Sequence, residues 1–317
     1  MSLPPGPPPT AARRPGSWCR RALPALLVVL LTVTGCGLRL DSAPPPPPPP
    51  DAVESVRQEA ARGAVRLQRA AEAAAPEDEA VGAALAEVAE TSAAHAESLG
   101  GVWEAWPDGV PAGTDHTPSP APAVPGAGTA EAVLAELVAS TEAAREQALT
   151  VPDADLAALL GSVVVRRTWA AVDLARALEL EPGVSAGAPY PVPALQAWQM
   201  DSRTVEALDA ARYTYEVVGA RSEAERRERA ARRAEELRPL AEAAATQAAQ
   251  DPRRGAYPVP GDGSAAAAAE ERVLRQWVFR VSVAPRDARP ELIEAAVHTA
   301  GELRAWGGTL PPLPGIG

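Results

Sequence analysis

The chain has no lysine: all 30 of its basic residues are arginine, and alanine is the dominant residue. A bias of that kind is what a GC-rich genome imposes, which points to an actinobacterial source rather than to a function. Basic blocks are lacking as well, and the formal charge is −11. That argues against nucleic-acid binding, which rests on clustered cations facing phosphates. No glycine-rich loop of the P-loop or dinucleotide type occurs, which argues against phosphate chemistry. No Ser/His/Asp set can be assembled from three histidines, so hydrolase chemistry is not expected. Strand signals are nearly absent too, because β-branched and aromatic residues never alternate over a useful length.

What is present begins with Arg20 and Arg21, a short apolar run over residues 22–32, and then Val33, Thr34, Gly35 and Cys36. Basic residues, a brief apolar stretch and small residues make a secretory signal. The run is shorter than the roughly 20 apolar residues that a membrane span needs. Its ending, Val33-Thr34-Gly35-Cys36, resembles a bacterial lipobox. The resemblance implies removal of residues 1–35, a lipid on Cys36, and residence on the extracytoplasmic face of the cell membrane with the membrane as partner. Loss of Arg13, Arg14, Arg20 and Arg21, with no acid, would take the charge from −11 to −15. Cys19 would leave with the leader, so no intramolecular disulfide is expected. Thiolate metal sites and cysteine nucleophiles go with it, since the one remaining sulfur would carry the lipid. Residues 36–50 end in seven prolines, a semi-rigid polyproline spacer of roughly 20 Å.

The rest of the sequence reads as eight helices. Asp51 and Glu54 form a capping box for the first, which Pro76 ends. The second follows from about Glu77 to the Gly100-Gly101 stop, with Val81, Leu85, Val88, Ser92, His95 and Leu99 on one stripe. Residues 101–128, with Trp103 and Trp106, make a long crossover. The third helix covers about residues 130–149 (stripe Leu134, Leu137, Thr141, Ala144, Ala148). The fourth runs from near Asp153 to about Leu180 (stripe Leu156, Leu160, Val163, Arg167, Ala170, Leu174, Ala177). After a linker at 183–193, the fifth spans about 194–218 and breaks at Gly219. The sixth opens with a Ser222/Glu225 capping box and runs to about Gln250, with Pro239 predicted to kink or split it. The seventh covers 265–283, and the eighth runs from Pro290 to about Trp306. Residues 307–317 read as an irregular tail. The expectation is an all-α protein of two tandem four-helix bundles, residues 51–182 and 194–306.

Residues 213–221, 229–237, 256–260 and 265–271 resemble an uncharacterised ferritin-like domain family of actinobacterial proteins, over about 194–306. The resemblance implies a ferritin-like bundle. Working ferritin-like bundles hold two metal ions through a Glu from each of two helices and a Glu-x-x-His from each of the others. This chain has no Glu-x-x-His. Ser92 and His95 are the nearest approach, and the matching place on the fourth helix holds Arg167, which would repel a metal cation. Where family members often carry Glu-His, this chain has Leu208 and Asp209.

Each candidate has a plainer alternative. His95 is either a core histidine bonded to Ser92 or a backbone group, or a residual metal ligand. Arg167 is either ion-paired with an acid such as Glu59 or Glu142, or an anion reader. A buried polar layer of Ser92, His95, Thr141 and Arg167 is expected. Glu270 is either a first-turn acid or an inward carboxylate ligand. His298 should pair with Glu294, and His116 should be inert in a loop. Trp198, Tyr213, Tyr215, Trp277, Phe279 and Trp306 read as core, with tyrosine hydroxyls at the surface. No cofactor and no enzymatic activity are expected. The favoured function is a lipid-anchored binding protein for an envelope protein or small ligand. The alternatives are a metal-dependent oxidase or store and a carrier of an apolar ligand.

Overall fold

The computed structural model describes residues 50–104, 128–195, 200–261 and 263–316. The leader, the lipobox, Cys36, most of the proline spacer, Trp106, His116 and Trp198 lie outside the described residues. Every element among the described residues is helical. Eight long helices run in the order α1 (Ala52–Ala73), α2 (Glu79–Ser98), α3 (Ala130–Thr150), α4 (Ala154–Ala177), α5 (Ser202–Arg221), α6 (Ala224–Gln247), α7 (Ala265–Val283) and α8 (Arg289–Ala305). A single turn, Val192–Leu195, precedes α5, and a 3-10 turn, Arg286–Ala288, precedes α8.

Aspartate caps set four of the eight long-helix starts. Asp51, Asp78, Asp153 and Asp201 each accept a first-turn amide, which satisfies donors that the helix itself cannot. Glu54 does not reach back as a capping box requires; its carboxylate takes Arg57 and Gln58 instead. The Asp201 cap also moves the start of α5 from the expected 194 to Ser202, since its oxygen takes the amides of both Arg203 and Thr204. Gly219 does not break that helix. It lies inside α5, where an added Cβ would make only ordinary contact, 3.5 Å from Ala230 of α6. Ser222 is the C-cap of α5, and Glu223 starts α6 without a side-chain bond. Pro239 lies within α6, which stays one helix. Its ring is on the exposed face, as is Glu235, whose freed carbonyl can meet water.

The four helices α1 to α4 pack as neighbours in the cyclic order α1, α2, α4, α3. In the second half α5 packs on α6 and α7, and α7 on α8. The central element is α4, which also packs on α7 and α8. Its stretch from Gly161 to Val165 is buried all round, wider than the single stripe its periodicity suggests. One apolar core runs through both halves, with Leu99, Leu160 and Val164 meeting Leu208, Trp277 and Leu292. A second lies within the first half around Leu67, Leu85, Leu137 and Leu174.

Polar contacts tie the halves together. Arg289 Nη1 donates to the carbonyls of Ala148 and Val151, both at 2.8 Å, so a cation closes the negative end of α3. Arg304 on α8 holds Asp173 on α4 at 2.6 Å, and Arg145 pairs with Glu294. The tail is docked: the Pro312 carbonyl meets His95 of α2, and the Pro314 carbonyl accepts from Ser162 of α4. Gly315, at φ 81°, then crosses so close to α7 that a Cβ would fall 2.7 Å from Val278 Cγ2.

Trp169 of α4 donates its indole N–H to the Val297 carbonyl at 3.0 Å and covers Gly301 of α8. A Cβ at 301 would lie 2.4 Å from Trp169 Cζ2. Gly301→Ala is therefore expected to destabilise the protein by about 1–3 kcal/mol, the usual cost of overpacking. Denaturant unfolding checks this, and Trp169→Phe in the same chain should relieve most of the loss.

Candidate functional site

Two buried polar clusters stand out, one in each half. The first sits between the two apolar cores. On α2 the chain passes from Val88 to Thr91, Ser92 and His95 before returning to Leu99. On α3 Ser140 and Thr141 interrupt the stripe, and on α4 Arg166, Arg167 and Thr168 do so. All eight residues are buried. The hydroxyls mostly turn onto their own helices: Thr141 donates to the Leu137 carbonyl at 2.6 Å and Thr91 to that of Glu87 at 2.7 Å. That leaves His95 and the arginines as the groups with chemistry to account for.

His95 Nε2 lies 2.8 Å from the Pro312 carbonyl, an arrangement that assigns the proton to Nε2. Its Nδ1 has no partner among the described residues. Burial, reinforced by the Arg167 and Arg166 charges, pushes its pKa down to about 3, so the ring is neutral. Arg167 does not pair with Glu59 or Glu142, because both acids lie on exposed faces. Its Nη1 donates to the Ser140 carbonyl at 3.0 Å, while Nε and Nη2 have no hydrogen-bond partner among the described residues. Burial lowers its pKa to about 10, which leaves it charged at neutral pH. The adjacent Arg166 is paired with Glu87.

The second cluster is built around Glu270 of α7, which is fully buried. Arg233 of α6 grips both of its oxygens, Nε to Oε1 and Nη2 to Oε2, each at 2.7 Å. Tyr215 of α5 donates to the same Oε1 at 2.7 Å. The third arginine nitrogen, Nη1, donates to Glu236 at 2.8 Å, and His298 Nε2 lies 2.7 Å from that same Glu236 oxygen. Burial alone would lower the Arg233 pKa, but the Glu270 and Glu236 carboxylates outweigh it and raise it. Burial and the Glu270 charge push the Tyr215 hydroxyl well up, so it remains a donor. Burial raises the Glu236 carboxyl, yet His298 and Arg233 bring it below its ordinary value.

Several expectations change here. Glu270 is neither a first-turn acid serving its own helix nor a free ligand. His298 pairs with Glu236 rather than Glu294, which goes to Arg145. Tyr215 turns its hydroxyl inward, and Phe279 is 45% exposed rather than core. Leu208 is core, and Asp209 is buried and held by Arg212 and Tyr257. Sequence reasoning missed Arg233 although the signal was there: it falls on the apolar stripe of α6 among Ala230, Ala234 and Leu237, as Arg167 does on α4.

The residues present do not fit a di-metal centre. Glu270 spends its oxygens on a guanidinium and a phenol, and among the described residues no group of three or more His, Cys, Asp or Glu could hold a metal ion. His95 faces two guanidinium charges, which oppose any cation. Outside these clusters, a groove of about 520 Å³ opens between α5, α7 and the loop after α6. Comparison of the chain with protein-family models, with curated proteins and with solved structures found no match.

The His95 environment has a pH signature. An unfolded histidine titrates near pH 6.5, whereas the folded one titrates near 3. Between those values the unfolded chain binds a proton that the folded chain does not. His95 thus contributes stability that is complete above about pH 6.5 and lost as pH falls, at about 1.4 kcal/mol per unit. Unfolding free energies of wild type and His95→Gln should diverge in slope by about 2 kcal/mol in total between pH 6.5 and 5. Parallel profiles would contradict the buried, neutral assignment.

Proposed function

We propose that the chain is a lipid-anchored, non-enzymatic binding protein of the extracytoplasmic membrane face, its helices arranged as two packed four-helix sets on a ferritin-like plan. The carrying observation is the Arg233–Glu270 pair. In the half that resembles a metal-binding bundle, the buried carboxylate meets a cation belonging to the chain itself. A site neutralised in this way offers a metal no net charge, and both carboxylate oxygens are already engaged. The anchor rests on the leader and on Cys36. Among the described residues no helix is long and apolar enough to cross a membrane, and lipid on Cys36 is the attachment this reading requires. A second reading, a carrier of a small ligand, draws on the groove beside α5 and α7. The oxidase or store reading has only Glu270 and His95 behind it, and neither has the neighbours that it needs.

Two measurements test this. Elemental analysis of the purified mature protein should show no stoichiometric iron, manganese or zinc, and two metal ions per chain would overturn the non-metal reading. Cys36→Ala should move the protein from the membrane fraction to the soluble one. Continued membrane retention of that variant would overturn the anchor.

A further inference from the structure

The groove between α5 and α7 has a composition that its surroundings do not explain. Its floor carries the buried alanines Ala207 and Ala210 on α5 and Ala265 on α7, beside Thr214 and Gln276, and their short side chains leave a trough of about 520 Å³. That volume lies in the range of small-molecule sites. The far wall is the loop bearing Tyr257, Pro258 and Pro260. Tyr257 fixes this wall: its hydroxyl donates to Asp209 Oδ2 at 2.8 Å and accepts the Arg254 amide at 3.1 Å. Asp209 is itself held by Arg212 Nε and Nη2 at 3.0 and 2.8 Å. Burial and the Asp209 bond push the Tyr257 hydroxyl up to about 12, so the tie persists at any working pH. The wall is in place before anything binds, which lowers the cost of binding.

The rim carries the decisive feature. Arg203, Arg254 and Arg272 line the groove with one acid, Glu206. Arg254 uses Glu206 at 2.9 Å. Arg203 and Arg272 have no acid within ion-pair distance among the described residues, although the chain as a whole carries a charge of −11. Two guanidinium groups with no ion-pair acid among the described residues, over a largely apolar trough, match an anion attached to an apolar body. A guanidinium takes a carboxylate through two parallel N–H bonds, while alanine, tyrosine and proline surfaces take the hydrocarbon.

We propose that this groove binds a small amphiphilic carboxylate, with its acid on Arg203 and Arg272 and its apolar part along the alanine floor. The proposal deepens the binding-protein reading and requires neither the membrane anchor nor the absence of metal.

The test is isothermal titration of the full chain carrying Cys36→Ala with decanoate below its micellar concentration. One saturable site per chain is expected, weakened about tenfold or more in Arg203→Gln/Arg272→Gln, since each substitution removes a charge-assisted bond. Decanol should bind at least about tenfold more weakly than decanoate, and Tyr257→Phe should weaken decanoate by loosening the wall. Arg226→Gln, remote from the groove, should leave the binding unchanged, and all variants should keep the wild-type melting temperature within a few degrees. Absence of saturable binding, equal affinity in the double arginine variant, or equal affinity for decanol would each overturn the proposal. Those results would leave the metal-free, anchored reading standing. Bound metal or membrane retention of Cys36→Ala would fail that reading without touching the groove.

Discussion

A carboxylate with no exposed surface has to be neutralised where it stands, and at Glu270 the neutralising group is Arg233. Isolated burial of such a charge costs many kcal/mol. The bidentate grip and the Tyr215 hydroxyl together leave it satisfied. Three helices are fixed by this one contact, since Tyr215 is on α5, Arg233 on α6 and Glu270 on α7. Through Glu236 and His298 the same guanidinium reaches α8. The polar centre of the second half is thus a closed structural network, and the groove lined by α5 and α7 lies apart from it.

The first half solves a related problem differently. Its polar band carries cations in excess, with Arg167 held by a single carbonyl, and His95 stays neutral beside it. The band separates two apolar cores, and it is also where the C-terminal tail docks, through the Pro312 carbonyl on His95. With α4 packed between both halves, with Trp169 against Gly301, and with Arg289 closing the end of α3, neither half is an independent neighbour of the other.

Much of this was legible in the sequence. The 4-3-4-3 spacing on α2 gave the buried face including Ser92 and His95, and Asp51 and Asp153 marked their helix starts. The bounds of α7 follow from the Pro- and Gly-bearing loop that ends at Ser264 and from the stop at Pro285. The misses share a cause, which is that partners distant in sequence decide the outcome. Ser222 looked like a cap, but Asp201 and the tight α5–α6 connection set the ends of those helices. His298 and Glu294 are correctly spaced for an i,i+4 pair, yet Glu236 and Arg145 lie nearer in space. Phe279 reads as core by type, but its position on α7 faces outward. Arg233 stands on an apolar stripe, as Arg167 does, and a cation in that position calls for a buried partner. Its acid, Glu270, sits 37 residues later, beyond any local rule.

The account stands or falls on whether Arg233 and Glu270 neutralise each other in the core. A double-mutant cycle by denaturant unfolding, with Arg233→Met, Glu270→Leu and the pair together, measures this directly. Each single change should cost about 3–5 kcal/mol, because it strands the opposite charge, and the double variant should cost less than either. Costs that simply add would contradict the account, for they would mean that each group is satisfied by something other than its partner.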